Sequence, residues 1–321
     1  MKCLYGIINS RGQNHFDLNG FGVDTISFQG LSAVVSDSEE TELNLMPKQA
    51  LAQYLLKHQQ VIEKVMESFS IIPIRLGTYA ADEEAVRRIL AKGFPLIIDM
   101  LSQVANTIEI DTVATWSNFE QQLKEIGQEP AINEFKQNLR AGPKGVTIDD
   151  QLKIGLMVKK ALEEKRKTIS ARLQADLMSI SQDCRSHEVM DDKMVMNCAL
   201  LIAKDGREEF DKKIEDLDAE YAGKLNFRCV GPLPPYSFYT LEVSELKLDE
   251  IAWAKTRLNL PKDRISQDQV KQAYRRSAQL AHPDIKPGAE KEFQALNKAY
   301  KLLLDYAQAG NDTLLVKARE F

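Results

Sequence analysis

The sequence has no long apolar run, few glycines and prolines, and little cysteine or histidine. No stretch approaches the ~18 consecutive apolar residues of a membrane span, and the opening MKCLYGIINSRG lacks the apolar region of a signal peptide. With 44% hydrophobic and 28% charged residues, the composition is typical of a folded chain rather than a disordered one. We therefore expect a cytoplasmic protein. Its 321 residues, at roughly 100 to 200 per domain, predict two or three domains.

Metal and redox sites leave spacings in a sequence that this chain does not show. The four cysteines are far apart and include no CxxC pair, which favours buried, reduced thiols: Cys3, Cys184, Cys198 and Cys229. His58 falls on the apolar face of a predicted helix, where a satisfied, partly buried side chain is expected. His187 lies among carboxylates in HEVMDD (187–192), which an exposed turn explains as well as a divalent ion.

Nucleotide and hydrolase motifs are also missing. There is no GxxxxGK[ST] loop, and GPKG at 142–145 lacks the Ser or Thr that would hold nucleotide-bound Mg²⁺. Neither a GxSxG elbow nor an HExxH pair occurs. The sequence therefore predicts a protein that is not an enzyme and that takes no cofactor or metal.

The first part of the chain alternates strand-like and helix-like patterns in the order ββαβαβ. Strands are predicted at 3–8, 25–36, 70–79 and 107–116. An amphipathic helix begins at Pro47. A second helix over 82–105 is predicted to be interrupted by Gly93 and Pro95. Pro73 would cost a hydrogen bond at the centre of a sheet, so we place it at an edge or a bulge.

A long helix over 149–180 opens the next part. Its apolar residues can share one stripe: Leu152, Leu162, Ile169, Leu173, Leu177 and Ile180. Two strands, a helix and another strand follow, which repeats the order ββαβ without a sequence repeat. The predicted fold class is α+β, with two ββαβ-type domains joined by a long helix.

The segment GPLPPYSFYTLEV (231–243) supports two interpretations. Its prolines hold the chain extended before a strand in which Tyr239, Leu241 and Val243 point to one side. Either the prolines end the preceding strand and the aromatic residues fill a core, or the segment is a surface that binds a partner. We favour the first interpretation, in which the aromatic residues fill a core, and keep the partner-binding surface as the alternative.

Six motifs stand in a definite order: YGII, GLSAVVS, KHQQVIEKVM, IIPIRLGT, MVMNCALLIAKDGREEFDKKI and GPLPPYSF. Together they resemble the gas vesicle accessory proteins of the GvpF/GvpL family, over residues 1 to about 245. GPLPPYSF departs from the commoner family form at Leu233, where Trp is frequent.

The resemblance implies a cytoplasmic, non-enzymatic assembly factor of the gas vesicle, a hollow protein shell that gives buoyancy. Its expected partners are the hydrophobic shell protein and other gas vesicle accessory proteins, with no nucleic acid and no membrane. A shell subunit exposes strand edges before assembly, and covering those edges prevents aggregation. We place the shell-protein contacts in IIPIRLGT and GPLPPYSF, at Pro73, Arg75, Pro234, Pro235, Tyr236 and Phe238.

The last 76 residues differ in charge and pattern from the rest. Residues 246–321 hold 14 basic and 10 acidic residues, a net charge of +4, whereas the whole chain carries −5, which leaves −9 for residues 1–245. Ser266 and Gln269 form a capping-box signal before a helix that ends where Pro283 forces His282 out of helical geometry. A second helix follows and ends near Gly310.

Two helices that flank His282-Pro283-Asp284 resemble a J-domain, which engages a DnaK-type chaperone and stimulates its ATP hydrolysis. The matching stretches are VKQAYRRSAQLAHPD and FQALNKAYKLLLD. The resemblance implies chaperone contacts at Lys271, Arg275, His282, Pro283 and Asp284. The alternative is a helical hairpin that docks on the body or on a partner, with His282 and Asp284 merely capping.

The J-domain pattern is incomplete. Gln279 and Ala281 stand where a basic residue and an aromatic residue are usual. The first J-domain helix is reduced to LDEIAWAKTRLNL, and the final helix is not evident. We expect these departures to weaken attraction to an acidic chaperone groove and to loosen the packing of the two helices.

These observations predict four segments. They are an N-terminal α+β domain (1–117), a helical linker region (118–180), a C-terminal α+β domain (181–245) and a J-domain-like helical extension (246–321). The predicted function is assembly of the shell protein, with recruitment of a DnaK-type chaperone by the extension. Two alternatives stay open: a minor structural component of the shell, and a general J-type co-chaperone.

Overall fold

The computed structural model describes residues 1–18, 20–141, 146–281 and 288–319. The chain forms two compact units, one of Met1–Ala105 with Tyr239–Phe321 and the other of Asn106–Phe238. Each unit combines helices with β-sheet, which confirms the predicted α+β class. No helix in the described ranges is long and apolar enough to cross a lipid bilayer.

The first unit begins with a six-stranded sheet. Its strands are β1 (Lys2–Asn9), β2 (His15–Leu18), β3 (Phe21–Phe28), β4 (Leu31–Asp37), β5 (Ile71–Pro73) and β6 (Tyr79–Ala80). They lie in the order β2-β3-β4-β1-β5, and β6 also pairs with β1. Pro73 ends the outer strand β5, where its missing N–H costs little, so the predicted edge position is confirmed.

Two helices pack on this sheet. A short 3₁₀ turn (Leu43–Leu45) leads to α1 (Lys48–Met66), and α2 (Glu83–Gln103) follows β6. The predicted interruption of α2 at Gly93 and Pro95 is wrong, because the helix runs through both residues. One face of α2 is buried, including Leu90, Gly93 and Ile97, and this burial offsets the backbone hydrogen bond that Pro95 cannot make.

The second unit contains a four-stranded sheet in the order β10-β7-β9-β8. In chain order its elements are β7 (Thr107–Trp116), α3 (Phe119–Ile126), α4 (Pro130–Ala141), α5 (Ile148–Met178), β8 (Asp183–Ser186), β9 (Met194–Ala203), a 3₁₀ turn (Lys204–Gly206), α6 (Arg207–Tyr221) and β10 (Leu225–Leu233). Helix α5 begins at a capping box formed by Thr147 and Asp150. The leucines of α5 are buried from Leu162 onward: Leu162, Leu173 and Leu177.

The chain then returns to the first unit. Its last elements are β11 (Leu241–Glu245), α7 (Leu248–Arg257), α8 (Gln267–Ala281), α9 (Glu290–Gln308) and β12 (Leu314–Ala318). β11 pairs with β12 in an antiparallel ribbon, with Val243 opposite Val316. Tyr239, Leu241 and Val243 all pack against the core of the first unit, which confirms that they share one side.

This grouping differs from the four predicted consecutive segments. The predicted helical linker 118–180, including α5, lies within the second unit instead of joining two domains, and residues 239–321 group with residues 1–105. The strand 107–116 is not part of the N-terminal sheet: β7 is buried along most of its length and pairs with β9 and β10 on its two sides. The extension also does not end in a helix, since β12 carries the chain back to β11 and α2. The placement of β7 and the return of β12 arise from long-range strand pairing, which a local pattern does not specify.

Candidate functional site

The candidate site is the helical hairpin of α8 and α9, together with α7 and the ribbon β11–β12. The three helices share a small core: Ile251, Ala254, Leu258, Ile265, Val270, Ala273, Ala281, Leu296, Ala299 and Leu303. The Tyr274 ring of α8 stacks on the Tyr300 ring of α9 with centroids 4.2 Å apart, and the Tyr274 hydroxyl donates to the Asn297 side chain. The apolar faces of α8 and α9 therefore pack against each other.

Hydrogen bonds fix both ends of the hairpin. Gln269 N–H donates to Ser266 Oγ at 3.2 Å and Ser266 N–H donates to Gln269 Oε1 at 2.8 Å, which confirms the predicted capping box. Beyond α9, Gly310 has a φ of +71°, a conformation that glycine adopts without strain, so the predicted helix stop is also confirmed. Asn311 then binds both backbone groups of Ile265, at 2.8 and 3.1 Å.

The loop between α7 and α8 is held by a buried ammonium group. Lys255 Nζ donates to the carbonyl oxygens of Lys262 and Asp263, both at 2.9 Å, and lies 4.9 Å from the centre of the Tyr306 ring. A buried lysine needs such partners because desolvation of its charge is costly. Lys255 therefore stabilises the loop between α7 and α8 and is not part of the exposed surface of the hairpin.

The predicted chaperone contacts divide into two groups. Lys271 and Arg275 are exposed on α8. His282, Pro283 and Asp284 lie outside the described residues. Ala281, at the position where an aromatic residue is usual, is buried in the core of the hairpin, and Gln279 is exposed.

The ribbon ties the hairpin to the N-terminal sheet and to α2. Arg75 N–H donates to Leu241 O at 2.9 Å, and Ile74 forms a bridge with Leu241. The Arg75 guanidinium donates to Glu242 at 2.6 Å. One predicted shell-protein contact is thus already engaged in an ion pair within the chain.

A lysine on α2 anchors the other end of the hairpin. Lys92 Nζ donates to Ala309 O and to Asp312 Oδ2, both at 2.8 Å. The hydrogen bond from Lys92 to Asp312 is the main cause that holds the pKa of Asp312 below its usual value, and the backbone N–H of Leu314 contributes. Both ends of the hairpin are therefore attached to the N-terminal part of the first unit.

A groove of about 970 Å³ lies beside this attachment. It is lined by the loop from Arg75 to Ala81, by Arg88 and Lys92 of α2, and by Val243 and Leu314 of the ribbon. The lining mixes charged side chains with apolar ones.

The other predicted shell-protein residues lie in the second unit, except Pro73. Pro234, Pro235 and Phe238 are buried, and Tyr236 is partly exposed. The Arg185 guanidinium lies 5.5 Å from the centre of the Phe238 ring. The packing interpretation of GPLPPYSF therefore holds for Phe238, whereas a contact with a partner stays a prediction for Tyr236.

A buried carboxyl group holds this segment on the sheet. Glu109 of β7 accepts hydrogen bonds from the backbone N–H and from the hydroxyl of Ser237, both at 2.8 Å, and His187 Nε2 lies 3.3 Å from that hydroxyl. Burial raises the pKa of Glu109 to about 7 and also raises the pKa of Asp111. Ser237 donates directly to the carboxylate, so the histidine does not stand between them as in a Ser-His-Asp triad.

The remaining histidine predictions are partly supported. In HEVMDD, Asp191 Oδ1 accepts from the N–H groups of Lys193 and Met194, as in a turn. The described residues contain no group of three or more His, Cys, Asp and Glu side chains that could hold a metal ion. His58 is buried as expected, but its Nε2 has no hydrogen-bond partner among the described residues, and burial lowers its pKa to about 4.

Sequence reasoning missed the residues that attach the hairpin. Glu242, Lys92 and Asp312 act through partners far away in sequence, so no local spacing marks them. One signal was available: the short apolar run LLV (314–316) after Gly310 is typical of a strand.

Comparisons with known proteins now identify the larger part of the chain. The family model described as "Gas vesicle synthesis protein GvpL/GvpF" matches residues 2–240, and the chain belongs to this family. Gas vesicle protein F of Microcystis aeruginosa is 22% identical over 195 residues, which cover 60% of this chain and 79% of that protein. The crystal structure of GvpF from an Anabaena species has the same fold, with a TM-score of 0.63 at 20% identity, over 74% of this chain and 97% of that one.

The hairpin has a match of its own. The family model described as "DnaJ domain" matches residues 256–309, which include α8, α9 and the residues between them. Chaperone protein DnaJ of Lactiplantibacillus plantarum is 48% identical over 50 residues, 15% of this chain and 13% of that protein. Both family resemblances found in the sequence are thus confirmed.

Proposed function

We propose that this protein is a non-enzymatic gas vesicle assembly factor, which binds the hydrophobic shell protein and recruits a DnaK-type chaperone through His282-Pro283-Asp284. Membership of the GvpL/GvpF family supports a role at the gas vesicle. The DnaJ-domain match supports recruitment of the chaperone. The expected location is the cytoplasm, at the surface of forming vesicles.

The observation that carries the proposal is the two-ended attachment of the J-like hairpin. J-like helices on a flexible tail would leave the chaperone free to act anywhere within reach of the tail. Here β11 enters the hairpin, β12 leaves it, and the two strands pair with each other. Arg75 and Lys92 fix the two ends to the sheet and to α2. A chaperone bound to the hairpin would therefore be held in one place on the first unit.

The charge on α8 fits this role. Lys271, Arg275 and Arg276 are exposed on one helix, and only Asp268 offsets them there. Opposite charge on a partner surface accelerates encounter and fixes orientation more than it adds affinity. We expect the hairpin to meet an acidic surface on the chaperone.

Delivery of the shell protein completes the proposed function. An apolar subunit with unpaired strand edges aggregates unless those edges are covered. Tyr236 of the second unit, partly exposed, and Arg75 of the first unit remain the candidate contacts. ATP-driven release by the recruited chaperone would then pass the subunit to the growing shell.

The test is steady-state ATP hydrolysis by the organism's own DnaK-type chaperone with the full-length protein added. Wild type should stimulate hydrolysis, His282→Gln should not, and Lys271→Gln should require a higher concentration. Lys301→Gln, an exposed lysine on α9, is the matched control and should behave as wild type. Absence of stimulation by wild type would contradict chaperone recruitment. Persistence of the protein on washed, mature vesicles would instead indicate a structural component.

A further inference from the structure

The first half of α5 exposes a row of large aliphatic side chains. Ile148, Leu152 and Leu156 are 77%, 61% and 65% exposed. Their spacing of four residues places them along one face of the helix. From Leu162 onward the leucines of the same helix, at 162, 173 and 177, are buried on the second unit. The exposed row is therefore a separate feature, and we call Ile148, Leu152 and Leu156 the α5 row.

A glycine lies in the same face. Gly155 is in the interior of α5, where glycine weakens a helix, and no atom lies within 4 Å of the position that a Cβ would occupy. No neighbour within the described chain requires a small residue here. A glycine between two exposed leucines lets another helix approach the backbone closely, as small residues do at helix–helix contacts.

Charges beside the α5 row change sign along the helix. Asp149 stands at its N-terminal end, whereas Lys159 and Lys160 follow Leu156. Among the described residues neither Asp149 nor Lys160 has an ion-pair partner, and Lys159 makes only a long contact of 3.9 Å with Glu163. An identical helix running in the opposite direction presents its basic end to this acidic end.

We propose that the α5 row is a contact between two copies of this chain, formed by the first halves of two antiparallel α5 helices. In the register that we infer, Leu152 of each copy lies opposite Leu156 of the other, near the two-fold axis. Asp149 of each copy then lies beside Lys159 and Lys160 of the other. Such a contact is self-complementary, as a two-fold interface must be.

The size of the α5 row sets the strength of this contact. A standard stable interface buries roughly 800 Å² on each partner, and three aliphatic side chains per copy provide less. The dimer should therefore be weak and should form as concentration rises. Pairing would place two hairpins in one complex, but the contact itself does not depend on the proposed function.

Sedimentation velocity of the full-length protein over a wide micromolar concentration range tests the proposal. The weight-average mass of wild type should rise towards that of a dimer, while Leu152→Gln with Leu156→Gln should stay monomeric. Met190→Gln removes an exposed apolar residue of the same unit, 84% exposed, and should dimerise as wild type. Far-ultraviolet circular dichroism of each variant separates loss of pairing from loss of folding.

A charge exchange tests the antiparallel register. Asp149→Lys should be monomeric because it faces lysines, and Lys159→Glu with Lys160→Glu should be monomeric because it faces Asp149. Mixing these two variants should restore dimers, since each then meets opposite charge. A wild type that stays monomeric throughout, dimers that the Leu152 and Leu156 changes leave intact, or a mixture that remains monomeric would each overturn the proposal. If the wild type is monomeric but the leucine changes abolish binding of purified shell protein, that protein occupies the α5 row instead.

Discussion

Glu109 accepts two hydrogen bonds from Ser237, one from its backbone N–H and one from its hydroxyl, both at 2.8 Å. The pair joins residues 128 positions apart and attaches the segment after β10 to the central strand β7. Because Glu109 is buried, its charged form is disfavoured and its pKa rises from about 4.5 to about 7. The folded second unit therefore keeps a proton that the unfolded chain releases at lower pH.

The first prediction is a pH-dependent stability of the second unit. Between about pH 4.5 and 7 the folded state binds more protons than the unfolded state, so the free energy of unfolding should fall as pH rises and level off above pH 7. Each tenfold change in the acid constant is worth about 1.4 kcal/mol, so the loss should reach about 3 kcal/mol. Glu109→Gln should remove most of this slope.

The two tryptophans make this measurable, since Trp116 lies in the second unit and Trp253 in the first. In a Trp253→Phe background, urea unfolding followed by Trp116 fluorescence reports the second unit. In Glu109→Gln the free energy of unfolding should still fall with rising pH, but less steeply, because burial also raises the pKa of Asp111. An unchanged slope in Glu109→Gln would show that another group controls the pH dependence.

The second prediction concerns His58. Here the free energy of unfolding should decrease as pH falls, whereas the Glu109 effect decreases it as pH rises. Burial lowers the pKa of His58 from 6.5 to about 4, so the unfolded chain takes up a proton first as pH falls. Stability that is present above pH 6.5 should be lost as pH falls towards 4, by up to about 3 kcal/mol. In His58→Phe the stability should depend much less on pH in this acidic range. The phenylalanine ring can pack beside Tyr5 as the histidine ring does, but it has no ionisable group.

Unfolding of the first unit, followed by Trp253 fluorescence in a Trp116→Phe background, provides the measurement. His15→Gln is the matched control, because His15 is an exposed histidine that lies 2.8 Å from Asp24. This variant should lose stability on acidification as wild type does. Equal acid sensitivity in wild type and His58→Phe would exclude His58 as the cause.

The third prediction tests how closely α2 meets the ribbon. Alanine is a better helix former than glycine by about 1 kcal/mol, yet a Cβ at Gly93 would lie 2.7 Å from Val316 Cγ1 and 2.9 Å from Ile97 Cδ1. Gly93→Ala should therefore destabilise the first unit, by about 1 to 3 kcal/mol, as overpacking does. Gly93→Ala with Val316→Ala should recover part of the loss in a double-mutant cycle.

Gly155→Ala is the control for Gly93→Ala. Gly155 also lies inside a helix, but no atom stands within 4 Å of its missing Cβ. Its replacement should stabilise the second unit by up to about 1 kcal/mol. Thermal unfolding of both variants compares the two glycines directly, and a stabilising Gly93→Ala would mean that β12 does not press on α2.

The sequence predicted what depends on neighbouring residues and missed what depends on distant ones. The capping box of Ser266 and Gln269 spans three residues, and Gly310 ends a helix by its own conformation, so both could be predicted. The ion pair of Arg75 with Glu242 joins positions 167 apart, and only the fold brings them together. The predicted helix interruption at Pro95 was wrong for a related reason. The burial of one face of α2 stabilises the helix by more than Pro95 destabilises it.

The last prediction separates two roles of Arg75. Its ion pair with Glu242 is short, but the two side chains are 60% and 20% exposed, so the pair should contribute at most about 1 kcal/mol. Arg75→Gln and Glu242→Gln should therefore both fold with nearly unchanged melting temperatures. If Arg75 also contacts the shell protein, vesicle yield in cells should fall in Arg75→Gln and persist in Glu242→Gln, because only the first loses the guanidinium. An equal loss in both variants would assign the effect to the ribbon attachment, and no loss in either would remove Arg75 from the shell-protein surface.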